Sequence, residues 1–371
     1  MKNKKAAIKE AKLEKIRAKE LAASKKIEEK EMIKERKACA KEARRRIRIE
    51  QRRIRRGAVK AFSRLHVDLI AYMLCASLVL ILAEFALLAL FGFDKASEIY
   101  YDPHVFWILQ AVAMYAVAFP LFHRSTKKIP SATYEKSKLG FGKFLGYFFI
   151  AEAVMNVGNI ISLYLNTALS EITGLDFLGV NIADPVGDAP MYLTIPIVVI
   201  IGPIVEEIIF RKVLIDKMSI YGKRMAIIAS SFAFGFFHGN FSQLLYATLL
   251  GFLLGHIYAK TGRVRYTIVI HMLVNLFGSV PALLLERGII EEWVALLIIY
   301  IPALIGLVLY SVFARRGEFK VQGEPEKRLS KFGVFRAMFF NFGTILFYFF
   351  MIMALCATVI PEEFISAFIS I

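Results

Sequence analysis

Cysteine is scarce in this chain of 371 residues, with only Cys39, Cys75 and Cys356 present. Three thiols that far apart, without a C-x-x-C pair, exclude a disulfide framework and a paired-thiol redox or metal site. Glycine and proline are missing altogether from residues 1–56, so nothing in that stretch interrupts a helix. Acid is in short supply, with 31 Asp and Glu against 48 Lys and Arg and a net charge of +17. The H-E-x-x-H pairing of many zinc proteases is absent. No internal repeat is apparent, and with it goes the inverted-repeat signature of many transporters.

Apolar residues are what the chain has in excess. They make up 57% of it, and long hydrophobic runs recur from His66 to the C-terminus, a membrane pattern. The expected fold is all-α: a polytopic helical membrane protein of about nine transmembrane helices with a long charged N-terminal helix. Spans are expected near 67–92, 104–122, 143–169, 191–214, 224–241, 243–260, 264–285, 293–313 and 335–360. Loops 123–142, 212–224, 260–265 and 314–336 are basic, whereas 93–103, 170–190 and 286–292 are acidic. This alternation predicts an integral inner (plasma) membrane protein with its N-terminus in the cytoplasm and its C-terminus outside.

The charge is concentrated at one end. Residues 1–56 hold 13 Lys, 10 Arg and 9 Glu, a net +14, and eight arginines crowd Arg44 to Arg56 just before the first apolar run. Leu13, Ile16, Leu21, Ile27, Ile33 and Ile47 keep no sustained heptad, so a single charged helix is expected in place of a coiled coil. Juxtamembrane arginines attract anionic lipids, which makes lipid the expected partner of this arm and nucleic acid a disfavoured one. The stretch is too long and too charged to begin a cleaved signal peptide.

One apolar run is interrupted by charge. Val199 to Leu214 contains Glu206, Glu207 and Arg211, each costing about 2.5–3.5 kcal/mol at the centre of a membrane helix. Such a cost calls for partners or a polar cavity. Glu207 and Arg211, four apart, stack on one helical face and can pair. Glu206 lies about 100° around the helix and points elsewhere. Pro203 lacks an N–H and disturbs the bond to Val199, so a kink is expected there. A buried ion pair with a spare carboxylate would equally suit a transporter or channel.

Two further polar clusters follow on later spans. His238 ends S-F-A-F-G-F-F-H, with Phe234 one turn earlier; His271 and Asn275 share a face four residues apart. His256 reads as interfacial, and His66, His104 and His123, at segment edges, receive no role. Together the clusters have a chemical use. Glu206 and His238 could take a proton from water. His271 and Asn275 could donate to the oxyanion of an attacked carbonyl. Alternatively Glu206, His238 and His271 could bind Zn²⁺. Counted along straight helices, His238 falls near the outer end of its span while Glu206 and His271 fall toward the cytoplasmic side. They can meet only if 224–241 and 243–260 form a short or steeply tilted hairpin.

E-E-x-x-x-R at 206–211, F-x-x-x-H at 234–238 and H-x-x-x-N at 271–275 resemble the three motifs of the CPBP intramembrane proteases, which include type II CAAX prenyl endopeptidases and bacteriocin self-immunity proteins. The resemblance covers roughly 190–285. It implies a membrane endopeptidase of metalloprotease label, although a metal-independent glutamate mechanism fits the same residues. Glu206 and His238 would activate water, His271 and Asn275 would hold the oxyanion, and Glu207, Arg211 and Phe234 would support them. The substrate would be a peptide or a membrane-protein segment. The competing reading is a non-catalytic transporter or bacteriocin-immunity scaffold using the same polar residues. The chain divides accordingly into a basic arm (1–57), N-terminal membrane helices (58–190), a peptidase core (191–285) and C-terminal membrane helices (286–371).

Overall fold

The computed structural model describes residues 2–177, 190–321 and 329–360. The expected acidic loop 170–190, the basic loop 314–336 and the end of the C-terminal segment therefore lie partly outside the described residues. Among the described residues there is no strand. Helix α1 runs Lys2–Phe91 and α2 Phe93–Tyr100. Then come α3 (Pro103–Thr126), α4 (Phe141–Thr173) and α5 (Met191–Ser219). They are followed by α6 (Lys223–Phe237), α7 (Phe241–Thr261), α8 (Val264–Glu286), α9 (Glu292–Arg315), α10 (Lys331–Phe339) and α11 (Phe342–Ala357).

The chain separates into two compact units, Met1–Arg56 and Gly57–Ile371. In the first, positions 12–50 are exposed throughout, as a face carrying one charge nearly every other residue must be. Arg46 and Glu42, one turn apart, pair at 2.7 Å on its surface.

Among the described residues, seven helices are long and apolar enough to cross a membrane: α1, α3, α4, α5, α7, α8 and α9. An eighth is reached if α10 and α11, bent by 56° at the break between them, count as one span. Of the nine expected spans, 224–241 is the one that falls short. Helix α6 has only 15 residues, about 22 Å at 1.5 Å per residue against a hydrocarbon core of about 30 Å. It stops because Gly239 takes φ 67° and because Asn240 caps α7, accepting the N–H of Gln243 at 2.8 Å. The short hairpin required by the sequence is thus formed by α6 and α7.

The core is built where α4, α7, α8 and α9 meet. Tyr147, Phe148 and Met155 of α4 pack with Leu250, Leu254 and Ile257 of α7, Ile270 and Val274 of α8, and Phe313 of α9. Glycines permit the closest crossings, as expected where lipid tails give helices no hydrophobic reason to associate. A Cβ on Gly306 would fall 1.8 Å from the carbonyl of Phe149, and one on Gly235 would fall 1.9 Å from Thr248 Oγ1. Past the end of α9, Glu318 receives Lys143 of α4 at 2.6 Å and also pairs with Lys260 of α7. These two ammonium groups, Lys143 first, hold its carboxyl below the usual range.

His66, expected at a segment edge, is buried in α1. Its Nδ1 lies 2.8 Å from Phe62 O and 3.0 Å from Thr344 Oγ1 of α11. That contact works because Asn341 restarts the chain after the α10–α11 break and caps Thr344 N at 3.0 Å.

Two spans carry irregular π-helical turns, Val112–Ala118 in α3 and Ile195–Ile201 in α5. Each is followed within two residues by a proline, Pro120 and Pro203. A ring without an N–H leaves a carbonyl of the preceding turn unclaimed, and the helix adjusts its register around it. A third π-turn, Ile208–Ile215, follows the glutamate pair directly.

Candidate active site

Helix α5 presents its two adjacent carboxylates to different surroundings. Glu207 is fully buried, 3.1 Å from Arg211 Nη2, with both side chains inaccessible to solvent. The guanidinium lies over the face of Phe234, 4.5 Å from the ring centroid, a cation–π contact that supplies what hydrogen bonds do not. The i, i+4 spacing predicted this pair. Glu206, one residue earlier, keeps 27% of its side chain accessible.

Helix α8 brings His271 to both carboxylates. Its Nδ1 is 3.1 Å from Glu207 Oε1, and its Nε2 is 3.8 Å from Glu206 Oε2. Glu207 therefore does more than neutralise Arg211. It orients the imidazole so that the second nitrogen faces Glu206, the division of labour seen whenever a carboxylate fixes a histidine. Sequence spacing held no sign of this contact, because its partners stand 64 positions apart.

One turn further along α8, Asn275 Nδ2 donates to Val198 O at 2.9 Å. That carbonyl lies in the π-turn ahead of Pro203, five residues before it, and is the one a π-register bond from the proline would have used. Asn275 thus closes a backbone gap in α5 with one amide hydrogen and keeps the other.

His238 sits just beyond the end of α6. Its Nδ1 is 2.8 Å from Phe234 O, which leaves Nε2 for other work. Phe234 forms the hinge of the cluster: its ring meets His238 edge-on at 4.8 Å and His271 edge-on at 5.8 Å. Phe234 thus stands between His238 and His271, and the Nε2 of His271 faces Glu206. The shortness of α6 is what makes this possible, since a full-length span would carry His238 out of reach. Of the residues singled out in the sequence, Glu206, Glu207, Arg211, Phe234, His238 and His271 are joined by contacts across α5, α6 and α8. Asn275, one turn beyond His271, is tied to α5 through Val198 O.

Among the described residues no three His, Cys, Asp or Glu side chains form a preassembled metal site. His271 turns Nδ1 to Glu207 and His238 turns Nδ1 to a backbone carbonyl. Metal-bound histidines make outer hydrogen bonds of the same kind, so these two bonds do not argue against a metal.

The molecule is thus a helical integral membrane protein with a carboxylate–imidazole cluster inside its spans. Residues 188–277 match the family model described as type II CAAX prenyl endopeptidase Rce1-like. The chain is 36% identical over 96 residues to the "Putative membrane peptidase YdiL" of Bacillus subtilis, covering 25% of this chain and 38% of that protein. It is 33% identical over 107 residues to the UPF0177 protein YxdF of Lactococcus lactis, covering 29% of this chain and 59% of that one. The chain therefore spans less than two thirds of either relative. No solved structure matches it. The resemblance drawn from the three motifs is borne out over the segment that carries them.

Proposed function

We propose that the chain is an intramembrane endopeptidase that hydrolyses a peptide bond with water activated by Glu206 and His238, and that residues 191–285 are its catalytic core. The observation that carries this reading is the unequal fate of the two carboxylates. Glu207 is spent on Arg211 and His271 inside the protein, whereas Glu206 stays accessible beside His271 Nε2.

The chemistry follows from the groups in place. Glu206 takes a proton from a water that His238 Nε2 helps to orient, and the oxygen attacks the scissile carbonyl carbon. The carbonyl π electrons move to its oxygen, which accepts hydrogen bonds from Nε2–H of His271 and from the second amide hydrogen of Asn275. His271 acts here as an imidazolium whose Nδ1–H is held by Glu207. When the tetrahedral centre collapses, the C–N bond breaks and the amine leaves with the proton held by Glu206. The products are a carboxylate and an amine, and no step passes through a metal. The substrate class is a peptide or membrane-protein segment presented at the bilayer. The description of the matched family model, a CAAX prenyl endopeptidase, makes a prenylated CAAX peptide the first to try. The same reading puts the protein in the plasma membrane with the arm in the cytoplasm, in keeping with its excess of Lys and Arg.

The test is cleavage, by full-length protein in detergent, of a quenched fluorescent peptide ending in a CAAX sequence, made with and without a farnesyl group. Wild type should cut at least one of the two, and the same assay with EDTA reads whether a metal takes part. Glu206→Gln should lower turnover at least about 10²-fold, the usual scale for losing a general base. Equal rates for wild type and Glu206→Gln would remove the carboxylate from the chemistry.

A further inference from the structure

Glu206 has neighbours beyond the three motifs. Phenols from three other helices stand within its field: Tyr72 of α1, Tyr115 of α3 and Tyr246 of α7. None belongs to the matched segment's motifs, and two come from outside that segment altogether.

Tyr115 is placed most tightly. Gly202 lies one turn before Glu206 on α5. A Cβ added there would stand 3.3 Å from Tyr115 Oη, 3.9 Å from Glu206 Oε1 and 3.1 Å from Ile197 O. Hydroxyl, carboxylate and backbone carbonyl therefore converge on the face of α5 where residue 202 has no side chain. Tyr115 occupies the π-turn Val112–Ala118, and Gly202 follows directly on the π-turn Ile195–Ile201. Such turns cost backbone regularity and recur where a side chain must be re-aimed at a site. Here two of them, on separate spans, meet at one glycine.

These groups have the chemistry to seat a water. A water there can give one hydrogen to Glu206 and the other to Tyr115 Oη. Both hydrogens are then engaged and a lone pair is directed outward.

We propose that Tyr115 is a further catalytic residue, its hydroxyl holding the attacking water against Glu206 on the face of α5 at Gly202. The proposal rests on the hydrolytic reading above. It assigns Tyr115 an orienting role and leaves proton removal to Glu206. The bonds made and broken are those already described, because Tyr115 neither gains nor loses a proton overall.

The test uses the same farnesylated and unfarnesylated CAAX peptides with full-length protein. Tyr115→Phe keeps the ring and removes the oxygen. It should lower kcat about tenfold, the scale of one lost hydrogen bond, and leave KM and the melting temperature near wild type. Gly202→Ala keeps both Tyr115 and Glu206 but places a methyl group against them, and should also lower kcat. Because both act on one water, the double variant should be no worse than Gly202→Ala alone. A folded Tyr115→Phe or Gly202→Ala protein with wild-type kcat overturns the assignment, as do fully multiplicative losses. Glu206→Gln separates the two readings. If it is inactive while Tyr115→Phe is unaffected, only the Tyr115 proposal falls; if it is as active as wild type, both fall.

Discussion

At the scale of single residues, the cluster depends on a charge the membrane would otherwise refuse. Arg211 is fully buried, and it faces Glu207 on its own helix and the Phe234 ring on the next. Replacing it with Ala strands Glu207 without its cation, a loss that typically costs about 3–5 kcal/mol. Arg211→Ala should therefore lower the melting temperature in detergent markedly as well as abolish turnover. Arg211→Lys should fall between, since an ammonium keeps the charge but not the flat stack on Phe234. An unchanged melting temperature for Arg211→Ala would mean that the ion pair contributes nothing. The Glu207–Arg211 pair was legible in the sequence because one helix fixes the spacing of four. The hold of Glu207 on His271 was not, because only tertiary packing decides which imidazole arrives. Asn275 was read from its donor amide alone, and nothing in the sequence said that one of its hydrogens would be used on Val198.

At the scale of elements, the site exists because α6 is too short to span. Both histidine motifs could be read directly, but the depth at which His238 sits follows from where α6 stops. The sequence pointed to that stop only through depth, because His238 could meet Glu206 and His271 only if 224–241 and 243–260 formed a short or tilted hairpin. It overcounted the spans for the same reason: an apolar run of that length does not say whether its helix ends early. The α6–α7 contact that holds His238 in place passes over Gly235. A Cβ there would come within 1.9 Å of Thr248 Oγ1 and 2.6 Å of Leu244 O. The second atom is backbone and cannot turn aside. Gly235→Ala should force α6 away from α7 and displace Phe234, which touches Arg211, His238 and His271. The expected outcome is a protein that loses both thermal stability and turnover, with overpacking of this kind costing about 1–3 kcal/mol. Wild-type stability and kcat in Gly235→Ala would show that the hairpin can open without disturbing the cluster.

At the scale of the whole molecule, most of the net charge sits in the unit Met1–Arg56, and the cluster sits in the other. Composition alone set this division, since a segment without Gly or Pro and with 23 cationic side chains cannot enter a bilayer. Eight arginines from Arg44 to Arg56, at about 1 kcal/mol each near an anionic surface, give the arm a reason to lie against negatively charged lipid. Attraction of this kind is screened within about 10 Å at 0.1 M salt, so it should weaken as salt is added. The arm should therefore be cut slowly by trypsin when the full-length protein is held in nanodiscs of phosphatidylglycerol, and quickly in nanodiscs of phosphatidylcholine. Raising the salt should remove the difference. Catalysis should be independent of it, because every residue assigned to the site lies beyond Gly57. A chain lacking residues 1–43 should cut a short peptide in detergent at the wild-type rate. Equal trypsin rates in the two lipids would remove lipid as the arm's partner. A folded truncation that no longer turned over the peptide would instead place part of the arm at the active site.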